Sequence, residues 1–214
     1  MVILGAGGFA KEIATVLLWN DYDHEIVFFD NVSSIIDEDI ASNFKLMKNE
    51  SNLAQYFKEV SSDFCLGVGS PINREKLFGL GVSCGGKCQK IISNKAIIGQ
   101  INVNIGSGTA ILSGVTVTAS IKIGQCCVIN KDVIISHDVT IGDYVEVSPG
   151  VRLLGKTSVG NYSSIGTNAV ILPNINIGEN CVIGAGSVVT KDVPDNTTVI
   201  GIPAKQLTKV TVSR

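Results

Sequence analysis

From residue 105 onward, apolar positions recur with a period of six. Beginning at Ile105 and stepping by six, positions 111, 117, 123, 129, 135, 141, 147, 153, 159, 165, 171, 177, 183 and 189 all carry Ile, Val or Leu. Four residues after each stands a second restricted set, from Thr109, Val115 and Ile121 to Cys181, Ser187 and Val193, small or β-branched and never charged. A sandwich of short strands varies its spacing by several residues, whereas this register holds for fifteen units without a slip. A longer period lies on top, because Gly106, Gly124, Gly142, Gly160 and Gly178 each follow an aliphatic position, three hexapeptides apart. The pattern predicts 18-residue coils in which three short strands and three sharp turns close a triangular parallel β-helix. The aliphatic set points inward and the small set lies inside near the corners, which makes Cys127 and Cys181 core residues. Five coils at the ~4.8 Å spacing of paired strands stack to about 24 Å.

The first ninety residues follow another rule. Val2-Ile3-Leu4 leads into Gly5-Ala6-Gly7-Gly8-Phe9-Ala10, after which Ala10, Ile13, Ala14, Leu17 and Leu18 fall on one helical face. This is strand, glycine turn, helix, and the turn fits G-x-G-x-x-A, whose small residues let amides at a helix start approach a phosphate. The same turn can also serve only to pack helix on strand. Ile26–Phe29 forms a second strand ending at Asp30-Asn31, where an acidic residue commonly meets a ribose or base. A helix across 52–60, a strand across 64–68 ending in Gly69-Ser70, and a helix opened by Pro71 complete the order βαβαβα. With the prism under way by about residue 98, there is room for one mononucleotide half, too little for a dinucleotide enzyme.

Composition narrows the chemistry. Charged residues are 17% of the chain and the net charge is −2, without the basic field of a non-specific nucleic-acid binder. No apolar run approaches the ~20 residues of a membrane span, so the expectation is a soluble cytoplasmic protein with no membrane partner. Six scattered cysteines read as reduced thiols, and with only His24 and His137 in the chain, Cys84 and Cys88 lack the companions a zinc site needs. No metal is expected.

His137 is third in its hexapeptide, a slot elsewhere filled by Ser107, Gln125, Lys131, Asp143, Pro149 and Asn161, as at an outward corner. It is the only imidazole on the prism, and Asp138 follows directly; a carboxylate stabilises the imidazolium formed when such a base takes a proton. Gly155, eighteen residues on, occupies the same corner one coil away, where an unshielded amide could hold an oxyanion. An exposed turn residue would have the same spacing.

The repeat resembles that of the hexapeptide-repeat acyltransferases, whose prism is a left-handed β-helix. Handedness is carried by that resemblance, since crossovers in general prefer the right hand. Over nearly the whole chain, Gly5–Ala10, the run Ser136-His137-Asp138-Val139-Thr140-Ile141-Gly142-Asp143 and Gly201-Ile202-Pro203-Ala204-Lys205 resemble the NeuD/PglD family of sugar acyltransferases. The long loop that interrupts the repeat of galactoside and maltose acetyltransferases is missing. The implied architecture is an α/β half-Rossmann-like domain (1–90), an all-β left-handed parallel β-helix (91–195) and a tail with the GIPAK motif (196–214). The resemblance implies a homotrimer that binds acetyl-CoA on the prism and a nucleotide-linked amino sugar in front, and N-acetylates a 4-amino-4,6-dideoxyhexose by direct attack. O-acetylation of a sugar such as sialic acid, and a silent sugar-nucleotide-binding scaffold, are the rival readings.

Carried over residue by residue, His137 resembles the general base and Asp138 the carboxylate that raises its basicity. Glu146, Gly155, Thr167 and Ala185 fall where the family contacts acetyl-CoA, the column Pro149, Thr167, Ala185 leaving room for a pantetheine arm, and Lys205 falls near the CoA phosphates. Asn130 falls where an asparagine touches the sugar. Gly7, Gly8, Phe9, Asp30, Asn31, Gly69 and Ser70 match the nucleotide-sugar pocket, with Asn31 in place of an acid that some members carry. Glu146 replaces a histidine found in some relatives, and an ionised carboxylate cannot donate a hydrogen bond as imidazole does.

Overall fold

The computed structural model describes residues 1–33 and 38–207. The front domain runs β1 (Val2–Leu4), α1 (Gly8–Trp19), β2 (Val27–Phe29), α2 (Glu38–Asn43), β3 (Lys45–Met47), α3 (Glu50–Glu59), β4 (Asp63–Leu66), α4 (Pro71–Ser83) and β5 (Lys87–Cys88). Its sheet is wholly parallel in the order β3-β2-β1-β4-β5. Val2, Ile3 and Leu4 are completely buried, as a central parallel strand covered on both faces requires. Asn49 caps α3 by accepting from the Asn52 amide at 2.8 Å, and Pro71 opens α4, where its missing N–H costs nothing.

Three elements depart from the sequence expectation: α2, β3 and β5 are additional. A three-residue strand reading Lys-Leu-Met and a two-residue one reading Lys-Cys carry no periodicity of their own, and only pairing to β2 and β4 makes them strands. Leu18, expected on the buried face of α1, is 55% exposed, because Val16 and Leu17 take the core positions instead.

The prism is a left-handed parallel β-helix with three faces. The first carries Ile91–Ile92, Ala110–Ile111, Val128–Ile129, Glu146–Val147, Ser164–Ile165 and Val182–Ile183, the second Ile97–Ile98 through Ile134–Ile135 to Val188–Val189, the third Val103–Ile105 through Thr140–Ile141 to Asn176–Ile177. Inward side chains stack rung on rung, Ile135 between Val117 and Leu153, in one aliphatic core that includes Cys127 and Cys181. Ile92 and Ile98 also point inward, paired with Ile111 and Val117. Counting back by six from Ile105 lands on Gly99 and Ser93 instead, because one extra residue enters the turn before Ile105. The last coil is shorter: Val199 pairs with Ile183, sixteen residues away.

From Gly108 to Gly186 the fourth residue of each hexapeptide is left-handed, as at Asp132 (φ 59°), Asp138 (φ 61°) and Asn168 (φ 57°), which explains why Asn, Asp and Gly recur there. The Gly106 column has another cause. A Cβ on Gly106 would lie 2.4 Å from the Gly124 backbone, so these turns stack main chain directly on main chain.

The front domain sits on the first face. Ala110 and Leu112 join the core formed by Ala10, Ile13 and Leu17, and Cys126 and Tyr144 join that of Leu53, Phe57 and Phe64. Lys131 pairs with Glu12 at 2.8 Å, and Tyr162 donates its hydroxyl to Glu75 at 3.0 Å.

Candidate functional site

The residues singled out from the sequence fall into three groups. The first is at the corner between the second and third faces. There Asp138 adopts its left-handed conformation, which turns its carboxylate back onto the neighbouring ring, and His137 Nδ1 lies 2.9 Å from Asp138 Oδ2. Nε2 is left to meet a substrate, and both side chains are solvent-accessible, at 63% and 48% exposure. The ring lies over Gly155: a Cβ there would stand 2.6 Å from His137 Cε1 and 2.7 Å from Nε2. Only glycine lets the imidazole occupy this place. Among the described residues the Gly155 amide donates to no acceptor, while the Lys156 amide just beyond it donates to the His137 carbonyl at 3.0 Å. A base with its tautomer set by a carboxylate and an unspent N–H beside it can accept a proton and hold a developing negative charge.

The second group is the corner between the first and second faces. Thr167 and Ala185 are exposed in one column, joined through Gly186 N to Thr167 O at 2.8 Å. The Gly201–Lys205 segment caps that column, with Gly201 N on Ser187 Oγ (3.0 Å) and Ala204 N on Val188 O (2.8 Å). Lys205 itself is exposed on a short strand antiparallel to Thr198–Ile200. Asn130 lies lower in this corner, half-buried, its side-chain oxygen accepting from Lys131 N at 3.0 Å.

The third group belongs to the front domain. At the C-terminal ends of β1, β2 and β4 a cavity of about 280 Å³ is lined by Gly5, Asp30, Asn31, Val68, Asn73 and Lys76 among others. This is where ligands enter open parallel sheets. Asp30 Oδ1 accepts from the amides of Val32 (3.0 Å) and Ser33 (2.8 Å), and Oδ2 from the Ser33 hydroxyl (2.9 Å). Burial works to raise its pKa, but these bonds and one from the Ala6 amide outweigh it and hold the carboxyl below its ordinary value. Asp30 thus spends much of its acceptor capacity on its own turn. Gly7 and Gly8 are exposed at the start of α1, and a Cβ on either would meet nothing within 4 Å; Phe9 is half-buried against the α1 core. Asn73 and Lys76, absent from the sequence reading, come from one face of α4, and their signal was the i, i+3 spacing after Pro71.

Gly69 and Ser70 lie in the turn before α4. A Cβ on Gly69 would be 3.8 Å from Glu146 Oε1, so Glu146, on the first face, looks toward the front domain. Burial pushes the Glu146 carboxyl up, with Arg74 partly offsetting it, which moves it toward the protonated form that can donate a hydrogen bond.

One separation governs all of this. The front domain covers the first face, and the His137 corner is the only corner that this face does not touch. A single chain therefore holds its cavity and its imidazole on opposite sides of the prism.

Comparison with known proteins agrees with this architecture. Residues 120–155 and 156–191 match bacterial transferase hexapeptide repeats, which makes the second domain a hexapeptide-repeat transferase prism. Residues 1–79 match the PglD N-terminal domain. With both parts in one chain, the protein belongs to the PglD-like sugar acyltransferases. Similar solved structures include a mutant of the perosamine N-acetyltransferase from Caulobacter crescentus in complex with CoA and GDP-perosamine (27% identity, 97% of this chain and 96% of that one, TM-score 0.87). The acetyltransferase domain of PglB from Neisseria gonorrhoeae is 28% identical over 96% of this chain and 98% of that one, with a TM-score of 0.85. WeeI from Acinetobacter baumannii shows 28% identity, coverage of 96% and 98%, and a TM-score of 0.86. No curated protein sequence matches the chain. Among the described residues no helix is long and apolar enough to cross a membrane.

Proposed function

We propose that the protein is an acetyl-CoA-dependent N-acetyltransferase whose acceptor is a nucleotide-linked 4-amino-4,6-dideoxyhexose. The observation that carries this reading is the His137–Asp138 pair set over Gly155 in a chain that also presents a cavity of about 280 Å³ at its strand ends. The sugar amine attacks the thioester carbonyl carbon, and His137 Nε2 accepts the amine proton while Nδ1–H donates to Asp138. The Gly155 N–H faces the carbonyl oxygen as charge gathers on it. Collapse breaks the C–S bond, and the imidazolium returns the proton to the departing sulfur. No step calls on a metal. The solved relatives with CoA, acetyl coenzyme A or GDP-perosamine bound support the substrate classes.

The active unit in this reading is a homotrimer. Cavity and imidazole stand apart in one chain, and the second face, between the His137 corner and the Thr167–Ala185 corner, presents Ile97, Ile134, Val170 and Val188 outward. A neighbour seated on that face brings its own cavity, Glu146 and Asn130 toward His137. Thr167, Ala185 and Lys205 then line the path of the CoA arm.

The test is turnover with acetyl-CoA and UDP-, dTDP- and GDP-linked 4-amino sugars, read as free CoA thiol together with the product's mass and bond type. An amide product supports the reading. An ester product moves it to O-acetylation, and nucleotide-sugar binding with no CoA release makes the chain a silent scaffold.

A further inference from the structure

Arg74 lies completely buried on α4, at 0% exposure. None of the ion pairs among the described residues includes it, and all its partners are main-chain carbonyls. Nε donates to Cys126 O at 2.8 Å and Nη2 to Tyr144 O at 2.6 Å and Val145 O at 3.1 Å, all on the prism, while Nη1 donates to Gly69 O in the turn before α4. Cys126 and Tyr144 lie eighteen residues apart, so the guanidinium spans two coils of one corner and reaches back to the front domain.

A buried cation is an expensive way to dock a helix, and apolar contact alone would do it. Apolar contact lets a helix slide, whereas a planar fork with four acceptors fixes both distance and angle. What it fixes is informative. Asn73, Lys76 and Leu77 on one side of α4 wall the cavity, while Arg74 and Glu75 on another side reach the prism. Gly69, held by Arg74, stands beside Glu146.

We infer that Arg74 is a positioning residue for the transfer reaction: it sets the wall of the sugar-nucleotide cavity and the Gly69–Ser70 turn at a fixed place against the Glu146 coil. This rests on the function proposed above. Arg74 touches neither substrate, so its loss misplaces the acceptor without unmaking either binding site.

The test compares wild type with Arg74→Lys, which keeps the charge and loses the fork. Hydrogen exchange at 69–74 should quicken at least tenfold relative to 2–19. The Kd values of GDP, UDP or dTDP and of CoA should stay within about threefold, while kcat per folded site falls about 10–100-fold, as misplacement by an ångström does. A lower Tm with unchanged kcat per folded site would overturn the inference, as would a nucleotide Kd weakened more than about tenfold, the sign of direct contact. If wild type transfers no acetyl group, the proposed function fails and exchange alone decides: unchanged exchange at 69–74 overturns the positioning role. If Arg74→Lys does not fold, Tyr162→Phe removes the exposed bond to Glu75, the other side-chain hydrogen bond between α4 and the prism among the described residues. It should quicken the same exchange and lower kcat roughly two- to fivefold; no change in either would overturn the inference.

Discussion

The prism and the front domain are built by opposite means. In the prism each inward side chain packs on residues one coil away, and the core contains aliphatic residues and cysteines but no aromatic ring. In the front domain the core joins strands far apart in the chain and is filled by Phe28, Phe29, Phe57 and Phe64. The corner that holds His137 is exposed and away from the docked front domain, so the imidazole can carry chemistry there without its side chain supporting the fold. In the front domain the residues that line the cavity also hold the structure, as Asp30 holds its own turn. Changes at the His137 corner should alter rate alone, and changes around the cavity should mix binding with stability.

The largest effect should come from His137→Ala. The fold, oligomer and ligand affinities should stay close to wild type, while kcat drops about 10²–10⁴-fold, the range for loss of a general base. A parallel fall in oligomer mass would place His137 among the structural residues and break the contrast. Gly155→Ala comes next. Its methyl would need the space of the imidazole, which is exposed and free to swing aside, so Tm should hold while kcat falls roughly 10–100-fold through a displaced base.

Gly7→Val probes the front domain where the contrast is weakest. Its Cβ enters open space, so folding should be normal; the branched side chain stands where a phosphate must approach, and nucleotide-sugar affinity should drop by about tenfold or more with CoA affinity intact. Equal loss of both ligands in calorimetry would mean that the turn does not face the nucleotide. The smallest effect is Asp30→Asn. Its folded pKa is depressed, so its ionised form stabilises the fold above the unfolded value of about 3.9, and that contribution is lost as pH falls through the folded value. Denaturation should show a small deficit at neutral pH that closes in acid; a deficit unchanged with pH would assign it to packing.

The same difference decides what the sequence revealed. Local repetition made the inward register readable from Ile105 to Val189, and it failed where the repeat itself slips, before Ile105 and after Val189. The dyad was legible because His137 and Asp138 are adjacent; that the ring rests on Gly155 followed from the 18-residue coil. Arg74 was illegible, since an arginine on a helix reads as solvated until Cys126 and Tyr144 are brought over it from another domain. Glu146 falls among the CoA residues only by the family resemblance, and only docking of the front domain shows that it also borders Gly69.

The central claim is that a working site joins His137 of one copy to the cavity of another. Purified His137→Ala and Gly7→Val proteins are mixed in equal amounts, dissociated and reassembled, and assayed for acetyl transfer at a nucleotide-sugar concentration well below the Gly7→Val Kd, where each variant alone keeps about a tenth of wild-type turnover or less. Random assembly gives about a quarter of the sites an intact imidazole and an intact cavity, so the mixture should recover about a quarter of wild-type turnover. Activity no higher than the average of the two variants alone would contradict the shared site and return the chemistry to a single chain.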